Sequence, residues 1–312
     1  MSELKLYNDY SSHFKKRFSV KMQKISIDAG FTCPNRDGKK ATGGCAYCNN
    51  QTFSPSYTNL KESVGKQLAK GIEFFSRKYK DMRYLAYFQS YTNTYASVDD
   101  LKMLYDEALS VDKVDGLVIS TRPDCLSDDV LTLLSDYASR CYVSVEIGIE
   151  SHLDKTLAAI NRGHTFAEAK DALNRLKGRG VENCVHVVLG FPQEDINDWI
   201  EQAKLFSTLP IDTLKLHQLQ IHKGTNFAKL YADNPKAFNI LSLEGYIDIC
   251  VQYLEHLSPN IIIQRFTSQA PPDMIVAPMW GIKNFEFTAK LKKELQKRNT
   301  YQGRLIDNPL MQ

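Results

Sequence analysis

Between Cys141 and Phe191 the chain reads CYVSVEIGIESHLDKTLAAINRGHTFAEAKDALNRLKGRGVENCVHVVLGF. The two outer runs, Cys141–Glu150 and Cys184–Phe191, are short and rich in Val and Ile, as strands are. Phe166–Arg179 between them has helical spacing. It opens on Thr165-x-x-Glu168, where hydroxyl and carboxylate cap the helix start reciprocally. Strand, helix, strand implies a right-handed crossover and a parallel pair. The runs are nearly continuous in apolar residues, so both sheet faces are covered.

The same rhythm extends in both directions. Strand-like runs occupy Lys24–Gly30, Arg83–Gln89, Gly116–Ser120 and Thr213–Ile221. Helical patterns occupy Leu60–Tyr79, Val98–Leu109, Ser127–Ser139 and Ile196–Ser207. Six such units, with no glycine-rich dinucleotide fingerprint, predict an α/β fold: a partial (β/α)6 TIM-like barrel rather than a doubly wound sheet. Chemistry is then expected at the C-terminal ends of the strands. Residues 1–235 are expected to form this core, with a basic lead-in. Residues 236–312 are expected to form a C-terminal α/β extension packed on it: a helix (Ser242–His256), a strand-like run (Asn260–Phe266), a Pro-rich loop (Gln269–Pro278) and a basic helix (Phe285–Arg298).

A content of 43% hydrophobic and 24% charged residues is that of a globular chain with a sizeable core. No apolar run is long enough to span a bilayer, and no secretory pattern opens the chain, so a cytoplasmic protein without a membrane partner is expected. Seven cysteines, an odd number, argue for thiols or metal ligands over a disulfide framework. The net charge of +3 decides little, but residues 281–304 carry seven Lys or Arg against Glu286 and Glu294, and the first 24 residues are also basic. These are either solvated helix faces or a surface for an anionic partner such as RNA.

The first strand runs into the loop GFTCPNRDGKKATGGCAYCNNQTF, with Cys33, Cys45 and Cys48 spaced C-x11-C-x2-C. Pro34, Gly38, Gly43 and Gly44 let this backbone wrap tightly. Structural zinc wants a fourth ligand, and none stands nearby in sequence. A [4Fe–4S] cluster on three thiolates would keep one iron open. Three incidental thiols are the remaining reading.

The loop resembles the radical S-adenosylmethionine (SAM) superfamily, whose common signature is C-x3-C-x-aromatic-C; Tyr47 fills the aromatic place. The longer first gap is similar to that of the Elongator-catalytic-subunit-like branch. CPNRDG (Cys33–Gly38), AYFQSYT (Ala86–Thr92), TRPDC (Thr121–Cys125), VEIGIES (Val145–Ser151), NRGH (Asn161–His164), HVVLGFPQE (His186–Glu194) and KLHQLQIHKGT (Lys215–Thr225) follow in order. The set covers roughly residues 20–280 and looks closest to the YtqA (MnmL)/YhcC-like subgroup.

The resemblance implies that Cys33, Cys45 and Cys48 hold a [4Fe–4S] cluster whose open iron takes SAM. Arg162 matches an arginine that pairs with the SAM carboxylate, the alternative being a helix-surface salt bridge. Glu150 stands where a glutamine often meets the ribose, and His186 near a polar ribose contact, unless it is a satisfied core histidine. Tyr47 is placed near adenine. Gln89 replaces a Gly-Gly motif that receives the SAM amino group. Strand parity sets Glu146, Gly148 and Glu150 on one face and Val143, Val145, Ile147 and Ile149 on the other, so Glu146 joins the candidates for SAM or substrate. Lys215, His217, His222 and Lys223 are candidate substrate contacts; Gln264, Arg265 and Cys125 are weaker ones. The branch implies tRNA as partner and wobble-uridine (U34) modification as function, on the route from carboxymethylaminomethyl- to (methyl)aminomethyl-uridine. A flavodoxin or ferredoxin is the implied electron donor. A small metabolite or peptide substrate, or a non-catalytic iron–sulfur or zinc protein, are the alternatives.

Overall fold

A computed structural model describes residues 5–77 and 81–306. Seven strands make one parallel sheet. They are β1 (Met22–Ile27), β2 (Arg83–Phe88), β3 (Val114–Thr121), β4 (Tyr142–Glu150), β5 (Glu182–Leu189), β6 (Thr213–Gln218) and, after the short β7 (Ile221–His222), β8 (Ile262–Arg265). The sheet order follows the chain, and β7 pairs antiparallel with β9 (Ile275–Ala277) outside it. The helices are α1 (Tyr10–Arg17), α2 (Val64–Ser76), α3 (Val98–Leu109), α4 (Asp128–Ala138), α5 (Asp154–Ala159), α6 (Phe166–Leu176), α7 (Ile196–Phe206), α8 (Asn226–Asp233), α9 (Leu243–Glu255) and α10 (Asn284–Lys297).

The sheet is curled. Lys24 Nζ on β1 lies 3.1 Å from Gln264 Oε1 on β8, although these are the two outermost strands. Side chains facing inward therefore share one interior, as in a barrel left open along a seam. Outward-facing Val143, Val145, Ile147 and Ile149 join the main apolar core beneath the helices, together with Leu131, Leu134, Leu173 and Leu176. Burying each such side chain contributes roughly 1.5–3 kcal/mol. Inside, Leu85, Tyr87, Val118 and Tyr142 form a second cluster on which Phe14, Phe18 and Met22 pack. Thus α1 and the turn after it stop one end of the barrel, which the sequence reading left as a basic lead-in.

The partial TIM-like barrel is present, and the predicted helices fall within a few residues of their expected places. The Thr165–Glu168 capping box forms in full. The tail of the predicted Leu60–Tyr79 helix lies outside the described residues. Helices α1, α5 and α8 are short and were not predicted. The Thr213–Ile221 run breaks after Gln218, whose side chain brackets the Ser268 backbone (Nε2 to O 3.2 Å, N to Oε1 2.9 Å). The segment beyond residue 236 does more than pack on the core, since its Ile262–Arg265 run is hydrogen-bonded to β6 as the seventh strand of the sheet. No helix among the described residues is long and apolar enough to cross a membrane.

Candidate functional site

The cysteine loop sits over the C-terminal ends of the strands and is tied down by the turn after α5. Asn161, at φ 54°, donates from Nδ2 to the carbonyls of Thr42 (3.1 Å) and Gly44 (2.8 Å), while its own carbonyl accepts from Asn35 Nδ2 at 3.0 Å. Ala46 N–H donates to Ile160 O at 2.9 Å. Each sulfur then receives a donor: Thr92 Oγ1 to Cys33 (3.1 Å), Asn35 Nδ2 to Cys45 (3.2 Å), Arg162 Nη1 to Cys45 (3.4 Å) and Asn50 Nδ2 to Cys48 (3.7 Å). Burial raises the Cys33 thiol, and raises Cys48 to about 12, so a cation is needed to hold them as thiolates.

The spacing of the sulfurs discriminates between metals. A tetrahedral zinc at 2.3 Å from each sulfur brings sulfurs to about 3.8 Å from one another. The three Sγ atoms here do not all lie within 4.8 Å of one another. That is too wide for a single ion and open to a larger cluster.

Beside the cysteines, Gly148 lets Arg162 in. Arg162 Nη2 donates to Gly148 O at 2.5 Å and stands 3.6 Å from Glu150 Oε1. A Cβ on Gly148 would lie 2.5 Å from Arg162 Nη2 and 2.7 Å from Glu150 Oε1. Glu150 itself is in the left-handed region at φ 70°, where the β4–β5 register slips. Such strain is characteristic of ligand-holding positions. Burial raises the Glu150 carboxyl against the pull of Arg162 and Tyr47. Half-buried Tyr47 packs on Phe191, with ring centroids 5.6 Å apart.

Deeper in, β-strand parity assembles an ion network. Glu146 accepts from Lys24 Nζ (2.8 Å) on one oxygen, and from Lys215 Nζ (2.5 Å), Tyr87 OH (2.6 Å) and His186 Nε2 (3.2 Å) on the other. Burial alone would raise Glu146, but Lys215, Lys24 and His186 hold it well below the usual carboxylate range. Burial takes Lys215 down to about 7 against the opposing pull of Glu146, and takes His186 down to about 4. One cavity of about 170 Å³ runs from the cysteines to this network.

Cys33, Cys45, Cys48, Tyr47, Gln89, Glu146, Glu150, Arg162, His186, His217, His222 and Arg265 all line that cavity. Their assembly from distant parts of the chain is what the sequence reading required. The structure narrows the roles of five of the named residues. Glu146 and Lys215 are committed to each other at the barrel centre, and His186 is bonded to Glu146. Lys223 is exposed and does not line the cavity; its backbone closes a turn, donating to Met274 O and accepting from Asn49 Nδ2 at 2.8 Å. Cys125 faces an outer groove with Lys40 and Asp124, its thiol raised by burial to about 12. The sequence reading missed the sulfur donors Asn35, Asn50 and Thr92, and missed Lys24, Tyr87 and Arg122. Lys24 had a signal: a lysine inside an apolar strand run, in phase with Ser26.

Several cavity-lining atoms are buried without a protein partner: Arg162 Nε, Arg122 Nη1 and both ring nitrogens of His222. Buried polar atoms are rarely left so unless a ligand meets them. The wide thiol trio and these orphaned donors fit an iron–sulfur cluster and a polar cofactor bound beside it.

Known proteins agree. The family model described as the radical SAM superfamily matches residues 36–206, and a radical SAM C-terminal domain model matches 211–297. The uncharacterized protein YtqA of Bacillus subtilis is 35% identical over 97% of this chain and 93% of its own length. Protein YhcC of Escherichia coli is 34% identical over 98% and 97%. A tRNA-2-methylthio-N(6)-dimethylallyladenosine synthase of Syntrophus aciditrophicus is 26% identical over 44% of this chain and 31% of its own. The solved structure of the Methanocaldococcus infernus Elp3 with an N-terminal deletion superposes with a TM-score of 0.68 over 91% of this chain and 64% of that one, at 15% identity, a likeness of fold. With three thiols, a fitting cavity and these relatives, the chain belongs to the radical SAM superfamily of enzymes, which use a [4Fe–4S] cluster and S-adenosylmethionine.

Proposed function

We propose that this enzyme modifies the wobble uridine of tRNA, acting on a 5-carboxymethylaminomethyl arm on the route to (methyl)aminomethyl-uridine. The cluster and SAM, when bound, supply a 5′-deoxyadenosyl radical that removes a hydrogen atom. The chain's own residues hold and orient. Cys33, Cys45 and Cys48 carry the cluster, and their amide and hydroxyl donors tune it. Arg162 offers a guanidinium to the SAM carboxylate, and Glu150 and Tyr47 stand beside it. The enclosed cavity keeps water from the reacting carbon.

The observation that carries the RNA reading is the seam between β1 and β8. A groove of about 830 Å³ opens there, lined by Lys15, Lys21, Lys24, Lys215 and Arg265 and, among the described residues, by no carboxylate. Lys24 and Lys215 in its floor are paired with Glu146, so the cations open to phosphate are those of the rim, and neutralising phosphates with such cations dominates nucleic-acid affinity. The exposed Lys290, Lys292, Lys293 and Lys297 of α10 extend the charge, and Lys292 reaches within 5.5 Å of the Tyr7 ring just ahead of α1. The tRNA named for the Syntrophus relative is of the same substrate class.

Mass spectrometry of wobble nucleosides in a deletion strain tests this. Accumulation of the carboxymethylaminomethyl form is expected. An unchanged profile refutes the reading, while SAM cleavage by the purified enzyme still establishes the family chemistry.

A further inference from the structure

Among the described residues, the half-buried Arg265 of the seam is left without a counter-charge. In a regular strand Gln264 and Arg265 would point to opposite faces. The pairing of β6 with β8 slips between Leu214 and Lys215, so that Leu214 faces Ile263 while Lys215 faces Arg265. With that extra residue, both side chains enter the barrel. Gln264 Nε2 reaches Thr213 Oγ1 at 2.9 Å and Cys184 Sγ at 3.3 Å, and Arg265 Nε reaches His217 Nε2 at 3.0 Å. A bulge that re-aims a side chain is a usual device beside active sites.

Arg265 stands where three spaces meet. It lines the interior cavity, the seam groove and a further recess of about 270 Å³ beside Gln89 and Phe53. Neither acid nearby serves it. Glu146 has both oxygens taken by Lys24, Lys215, Tyr87 and His186, and Glu150 stands with Arg162 at the other end. Among the described residues Arg265 has no ion pair. A half-buried guanidinium without an acid is unfavourable unless a ligand supplies one.

Its orientation is fixed for that purpose. Burial and the neighbouring Arg265 keep His217 neutral, far below its usual range. Its Nε2 is therefore an acceptor for Arg265 Nε–H, which leaves the two terminal nitrogens, the fork that grips a carboxylate bidentately, without a protein partner.

We propose that Arg265, positioned by His217, binds a carboxylate on the substrate's reacting arm, at the end of the cavity opposite the cysteines. The proposal rests on the tRNA reading only for which molecule carries that carboxylate.

Binding of two anticodon stem-loops to the reconstituted enzyme tests it, one with 5-carboxymethylaminomethyl-uridine and one with 5-aminomethyl-uridine at the wobble position. The wild type should bind the first at least tenfold more tightly. Arg265→Gln should erase that preference by weakening only the first, and Arg265→Lys should keep part of it. As a positioning residue, His217 should tolerate Gln, which keeps an acceptor, while His217→Leu loses the preference. Iron content and thermal melting confirm that each variant is folded. Equal binding of the two stem-loops by the wild type, or an unchanged preference in Arg265→Gln, overturns the proposal and leaves the tRNA reading standing. If neither stem-loop binds, the tRNA reading fails. The carboxylate site is then judged by phenylglyoxal labelling of Arg265, read by peptide mass mapping with and without N-methylglycine: protection upholds it, and no protection overturns it.

Discussion

At one end of the cavity the functional atoms come from loops and turns: the Cys33–Cys48 loop, the Asn161–Arg162 turn, and Glu150 where β4 leaves the sheet. At the other end they come from the strands themselves: Lys24, Tyr87, Glu146, His186, Lys215 and Arg265 stand on six different strands. The first end is built to receive cofactors, and its donors are satisfied only in part without them. The second is nearly satisfied by itself, and so doubles as the polar core of the barrel. Loss of a residue should therefore abolish chemistry at the first end and threaten the fold at the second.

Cys45→Ala is the sharpest test at the loop end. It should take bound iron from about four per chain to near zero and eliminate SAM cleavage, measured as 5′-deoxyadenosine. The circular-dichroism spectrum should be retained, because the apolar core beneath the helices does not include the cysteine loop's sulfurs. An unfolded Cys45→Ala chain would break the comparison.

Glu146→Gln is the matching test at the strand end. It leaves the ammonium groups of Lys24 and Lys215 facing an amide that can accept from them but cannot neutralise them. Breaking a buried ion pair in this way costs about 3–5 kcal/mol. Urea denaturation should show that loss in a protein whose three cysteines are intact. A Glu146→Met, Lys24→Met, Lys215→Met triple variant should recover much of it, since no charge is then left buried alone. If Glu146→Gln is as stable as the wild type, the network does not hold the barrel centre.

The two ends also differ in how far the sequence reveals them. Cys33, Cys45, Cys48 and Arg162 lie in short motifs, where spacing along the chain mirrors spacing in the fold. Glu146 could be flagged because its strand is otherwise apolar and parity placed it inward. Its partners could not be named, since Lys24, Lys215 and His186 meet it through the pairing of β1 to β8 around the curl, a register that no local pattern encodes. Arg265 was hidden more deeply. It could be named beside Gln264 as a weaker candidate contact, but strand parity sets two neighbours on opposite faces, and only the slip opposite Lys215 turns both inward. Lys223 shows the reverse: it sits inside a motif, but the turn after β7 carries it to the surface, away from the interior cavity.

A smaller effect is expected from Gly148→Ala, which tests the hinge between the two ends. The added methyl would crowd Arg162 Nη2 and Glu150 Oε1. Both are far ends of side chains, so the fold should absorb the change with little loss of melting temperature. Arg162 would be displaced from Gly148 O. Losing one charge-assisted hydrogen bond is worth about 1.5–3 kcal/mol, so SAM affinity by equilibrium dialysis should fall roughly tenfold to a hundredfold at full iron content. A variant that binds SAM normally would separate Arg162 from the cofactor.

The smallest effect is one of pH, and it belongs to Lys215. The groups facing it are Lys24 from β1, Tyr87 from β2, Glu146 from β4, Cys184 and His186 from β5, His217 from its own strand and Arg265 from β8. Of those that burial shifts, Glu146 stays ionised, while Tyr87, Cys184, His186 and His217 stay neutral between pH 6 and 8; Lys215, lowered to about 7, changes charge there. Because its folded value lies below its unfolded one, the unfolded chain binds the extra proton between about pH 7 and about 10.4. The group's contribution to stability therefore rises with pH across that window, and its penalty is full below pH 7. Substrate binding should move the other way. Raising the pH through 7 removes a positive charge from beside the cavity, so an anionic arm should bind several-fold more weakly at pH 8 than at pH 6, by roughly 1 kcal/mol at the separations and effective dielectric of such a site. Lys215→Met should flatten both trends at once. An affinity that strengthens with pH in the wild type would mean that Lys215 is not the group that titrates, and that the strand end of the cavity carries its charge independently of pH.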